Sequence, residues 1–116
     1  MTKEEDRLDF REQQKEKDLA IIKAAFENGK IEKMSDLEKL SPTKIAALMG
    51  MNQGRYGSKL FEPDKFTPSE IFRLAIVLDL DESFIMKVIK KQLIKAELER
   101  VNKNRIKYYS SKSKQK

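Results

Sequence analysis

The chain has 116 residues, enough for one domain with extended ends, and is 38% charged against 39% hydrophobic, so its core must be compact. It contains neither cysteine nor histidine, which excludes a disulfide framework and thiolate metal sites and removes the commonest catalytic base and metal ligand. The net charge of +6 is unevenly placed: Met1–Asp18 carries five basic and seven acidic residues, Leu19–Asp81 nine of each, and Glu82–Lys116 eleven basic and three acidic.

A basic surplus of eight at one end points to a polyanionic partner, nucleic acid or an acidic surface, or else to a solvated tail. Four glycines and three prolines, with abundant Lys, Glu, Leu and Ile, favour helices over strands. Met1–Asp18 has no apolar stretch of the secretory kind, and apolar runs such as Leu74–Leu78 are far too short to cross a bilayer. The expectation is a soluble, cytoplasmic protein.

In chain order, residues 1–17 form a charged arm, helical or disordered, with Leu8 and Phe10 as its large apolar anchors. Leu19, Ile22, Ala25 and Phe26 recur at helical spacing and Asn28-Gly29 is a stop, predicting a helix over about Lys17–Asn28. Ser35-Asp36-Leu37-Glu38 reads as a capping box opening a short helix that presents Leu37 and Leu40.

Ser41 is placed to cap the next helix, with Pro42 at its first position, where a missing N–H costs nothing. Ile45, Ala46, Leu48 and Met49 follow, and Gly50 supplies the left-handed residue that ends it. Asn52 caps the helix that follows, running to Phe61, which Pro63 breaks into a turn. Thr67-Pro68-Ser69-Glu70 opens a further helix with Ile71, Leu74, Ala75 and Leu78 on one stripe. Asp81 caps a long last helix with Ile85, Val88, Ile89, Leu93 and Ala96 on one face, and fraying is expected from Asn102 onward. The reading is an all-α fold: a five-helix domain over 18–93, a charged N-terminal arm, and an extended C-terminal helix with a basic tail over 94–116.

Pro42–Phe61 carries the functional signal. Reading a DNA sequence requires a short helix in the major groove and a second helix bracing it. Ala46 is small enough for the crossing, Gly50 makes the turn, and Ile45, Met49, Met51 and Tyr56 are the anchors. Between Pro42 and Leu60 there are three basic residues and no acidic one, as a phosphate-facing surface requires. Ser41-Pro-Thr-Lys-Ile-Ala-Ala-Leu-Met-Gly-Met-Asn-Gln-Gly-Arg-Tyr, followed by Phe66-Thr-Pro-Ser-Glu-Ile-Phe-Arg-Leu-Ala and Leu78-Asp-Leu-Asp, resembles the lambda-repressor-like, Cro-type helix-turn-helix family over about Asp18–Ile89.

The resemblance implies a dimeric transcription regulator on double-stranded DNA, repressor-like, with no metal or cofactor. Three departures stand out: Lys59 occupies an anchor position, Phe61-Glu62-Pro63-Asp64-Lys65 replaces the usual turn, and Gly54 and Gly57 lie inside the reading helix. Those glycines let the backbone approach DNA closely, leave the helix loose until bound, or are plain surface positions.

Asn52, Gln53, Arg55 and Ser58 are the candidate base-reading residues, Arg suiting guanine and Gln adenine. Thr43, Lys44 and Lys59 are the candidate phosphate contacts. Ile94, Leu98 and Val101 extend an apolar seam beyond the core, predicting a homodimer through the last helix or packing against the arm. The alternative function is a helical protein-interaction module such as an antitoxin or adaptor. An enzyme would need carboxylates with a metal, or a desolvated lysine, and no such site converges. No small-molecule pocket is readable.

Overall fold

The computed structural model describes residues 16–114, so the arm and its Leu8 and Phe10 lie outside the described residues, save Glu16 and Lys17. Within them the chain is all-helical, with five α-helices, two short 3-10 turns and no strand. We number the helices α1 (Lys17–Glu27), α2 (Pro42–Met49), α3 (Gln53–Phe61), α4 (Pro68–Val77) and α5 (Glu82–Lys114). The 3-10 turns are Met34–Leu37 and Pro63–Lys65. No helix among the described residues is long and apolar enough to cross a membrane.

The boundaries follow local chemistry. α1 ends at Asn28, after which Gly29 takes a left-handed φ of 71°. Gly50 does the same for α2 at φ 73°, where a Cβ would be strained. Asn52 caps α3 as expected, its side-chain oxygen accepting from the N–H groups of Gly54 and Arg55. Thr67 and Glu70 form the reciprocal capping box of α4. Asp81 accepts hydrogen bonds from the Ser83 N–H and hydroxyl at the start of α5.

Three local expectations are corrected. The pattern at Ser35 does not cap a helix; Asp36 instead accepts from the Glu32 and Lys33 N–H groups and stabilises a 3-10 turn. Ser41 takes a left-handed φ of 49° and makes no cap, because its hydroxyl donates to Asp18 at 2.6 Å. The last helix does not fray at Asn102 but continues through Lys114. No glycine or proline follows Pro68, and within the helix Arg100 pairs with Glu97, Arg105 donates to Asn102, and the Lys112 ammonium lies 4.6 Å from the Tyr108 ring centre.

The core gathers Leu19, Ile22 and Phe26 of α1, Ile45, Ala46 and Met49 of α2, Tyr56 and Leu60 of α3, Ile71, Leu74 and Ala75 of α4, and Ile85, Val88 and Ile89 of α5. α2 packs on α3 and α4, α3 rests on the Met34–Leu37 turn, and the first third of α5 covers α4 and α1. Removing a fully buried side chain such as Leu74 from water contributes about 2 kcal/mol. Beyond Leu93, which is half-buried, α5 leaves the core, and Ala96, expected on its inner face, is exposed.

Candidate nucleic-acid interface

α3 has one face inside and one outside. Tyr56 and Leu60 are fully buried, fixing the helix to the core, while Gln53, Arg55 and Ser58 are exposed. Of the expected base-reading residues, Asn52 is also exposed, but its side-chain oxygen is occupied by the cap. Gln53 is oriented from α2: the Thr43 hydroxyl donates to its amide oxygen at 2.8 Å. That bond joins the first turns of the two helices and occupies the Gln53 amide oxygen, not its N–H groups.

The glycines of α3 have different causes. A Cβ on Gly54 would stand 3.0 Å from the Asn52 side-chain oxygen, so its absence makes room for the cap. Gly57 has nothing within 4 Å of an added Cβ, and no contact among the described residues explains it.

The charged residues expected to meet phosphates are ion-paired within the molecule. The Lys59 ammonium lies 2.5 and 2.7 Å from the two oxygens of Glu70, and its side chain is only 12% exposed. The same carboxylate accepts from the Thr67 N–H at 2.9 Å. The Lys59 contact, aided by the Thr67 N–H, holds the Glu70 carboxyl down at about 2. Lys44 is more exposed, at 28%, but its ammonium meets Asp18 at 2.8 Å. Lys44 and the Ser41 hydroxyl together keep the Asp18 carboxyl below its ordinary range.

Arg55 is thus the one cation of α2 and α3 with no ion pair among the described residues. Beside it runs an open groove of about 520 Å³ lined by Asn52, Gly54, Arg55, Ser58 and Lys59, with Glu62 and Lys65 beyond. Lys65 is exposed, lies in no ion pair among the described residues, and adds a cation that sequence reasoning passed over. Its only advance signal was its position in the turn directly after the reading helix.

Two contacts hold this unit from behind. The Arg73 guanidinium of α4 donates to the Met49 carbonyl at the end of α2 at 2.8 Å, and Glu70 of α4 holds Lys59 of α3. Beneath α3 the Tyr56 hydroxyl is buried with no hydrogen-bond partner among the described residues, and burial pushes its phenol above its ordinary range. Among the described residues no cluster of acidic, histidine or cysteine side chains forms a metal site.

Ile94, Leu98 and Val101 are 51%, 55% and 44% exposed, an apolar line on α5 that no described residue covers. Compared with protein-family models, curated proteins and solved structures, the chain matches none.

Proposed function

We propose that this chain is a sequence-specific DNA-binding transcription regulator, cytoplasmic and repressor-like, that seats α3 in the major groove as a homodimer on double-stranded DNA. The observation that carries the reading is the division of α3 between buried Tyr56 and Leu60 and exposed Gln53, Arg55 and Ser58, with α2 laid against it. The resemblance of Ser41–Tyr56 and the helix after it to lambda-repressor-like domains supports the same docking.

In this reading Arg55 donates two hydrogen bonds to guanine, and Gln53 offers its amide N–H groups to a base acceptor. Ser58 lies one turn along the same face, and Asn52 contributes only its amide N–H groups. Thr43 and Lys65 contact phosphates, and Lys44 does so by exchanging its Asp18 partner for a phosphate oxygen. Lys59 holds α3 in place and touches no phosphate.

Selection of bound duplexes from a random pool, at two salt concentrations, yields the site, its symmetry and the electrostatic share of affinity. Arg55→Ala is expected to lose about 1–3 kcal/mol on the selected site and far less on scrambled DNA. Equal losses on both remove Arg55 from base reading. A pool that enriches no sequence at either salt overturns the regulator and favours a protein-interaction module.

A further inference from the structure

Away from the Arg55 face lies a groove of about 450 Å³ between the Pro63–Lys65 turn, α4 and α5. Its walls include Phe66, Phe72, Met86 and Leu93, Asp64 and Glu82 stand among its lining residues, and no basic residue lines it. A second depression shares Phe72 and Glu82 and adds Ile76, Asp79 and Asp81, again without a basic residue. Phe72, Ile76 and Met86 are 52%, 78% and 43% exposed, so no described residue covers this acid-rimmed apolar face. Contiguous apolar surface of this kind marks an interaction site.

We propose that its occupant is the distal half of α5 from a second copy of this chain, running antiparallel to the first. The proposal rests on the homodimer of the preceding reading and is independent of whether that dimer binds DNA.

Charge decides the occupant. Ile94–Lys114 carries seven basic and two acidic residues, the complement of a rim holding Asp64 and Glu82. Residues 1–15, which lie outside the described residues, carry four basic and five acidic residues and offer no such complementarity. A parallel α5 pair sets two of the basic segments side by side, which costs energy, whereas antiparallel pairing sets each against an acidic face.

The register follows from helix geometry. At 3.6 residues per turn, Met86, Lys90, Leu93, Ile94, Glu97 and Val101 fall within an arc of about 100° on α5. A two-fold axis between Leu93 and Ile94 then sets Met86 beside the partner's Val101, Leu93 beside the partner's Ile94, and Lys90 beside the partner's Glu97. Arg100 lies about five turns from Glu82 on the same flank. Like flanks meet across such an axis, so the partner's Arg100 lies along the Glu82 and Asp64 rim, its aliphatic stem against the groove wall.

The natural chain has no cysteine, so introduced thiols report cleanly. The full-length Met86→Cys/Val101→Cys protein, oxidised without DNA, is expected to give a covalent dimer on non-reducing gels. Either single variant is expected to give none, since like positions then stand about 22 Å apart. A covalent dimer from Val101→Cys alone means a parallel pair and overturns the proposal, as does a monomer at every concentration in sedimentation. As a second line, Lys90→Glu is expected to weaken the dimer about tenfold and Lys90→Glu/Glu97→Lys to restore it. Failure of the swapped pair to restore it overturns this register. Loss of DNA binding with crosslinking intact leaves the dimer standing and sinks only the regulator.

Discussion

Both oxygens of Glu70 face the Lys59 ammonium, with one of them also holding the Thr67 N–H, in a place where neither charge is well hydrated. The carboxyl titrates near 2 when folded against 4.5 in the free group. A depressed folded value means the stabilisation is complete above 4.5 and lost as the pH falls from there toward 2. Urea unfolding across that interval is expected to show about 2 kcal/mol from this pair in the natural chain and none in Glu70→Gln. At neutral pH, Glu70→Gln is expected to be less stable by about 2–3 kcal/mol, because it leaves an ammonium buried without its counter-charge. The helix cap at Glu70 was legible in the sequence and so was the charge of Lys59. Their meeting was not: the residues are 11 apart across a turn, and no local periodicity relates them.

α2, its turn and α3 were legible because their signals are short-range: Pro42 at the first position, left-handed Gly50, and Asn52 capping two N–H groups. Ser41 misled because the same hydroxyl that suits a cap found Asp18, which arrives from another helix. Gly54 and Gly57 looked alike in the sequence and separate only once the cap's geometry fixes which has a neighbour. Gly57→Ala is therefore expected to stabilise the protein by about 1 kcal/mol, raising the unfolding midpoint by a few degrees. Measured beside it, affinity for the selected duplex tells whether that bare backbone also lies against DNA. A stabilised protein with weakened binding means that it does, and unchanged binding makes Gly57 an ordinary surface position.

For the molecule as a whole, stability and reach are divided along the chain. Among the described residues the buried side chains end at Ile89, with Leu93 the last half-buried apolar one, and residues 98–112 are exposed. A chain ending at Leu93 is expected to unfold at nearly the same urea concentration as the full-length protein, while sedimenting as a monomer. A large fall in stability instead would mean that the distal helix folds onto its own domain. The apolar seam at Ile94, Leu98 and Val101 was readable from spacing alone. The acid-rimmed face was not, because Asp64, Phe72 and Glu82 come together only through the packing of a turn and two helices.

The grip of α4 on both α2 and α3, through Arg73 on the Met49 carbonyl and Glu70 on Lys59, has a consequence for altering what the protein recognises. The angle at which α3 is presented is set from the rear, by groups that no outward side chain touches. Exchanging Arg55 or Ser58 therefore leaves these two contacts in place, whereas exchanging Gln53 also gives up its bond to Thr43; new preferences are grafted most simply at the first two, without retuning the support beneath them.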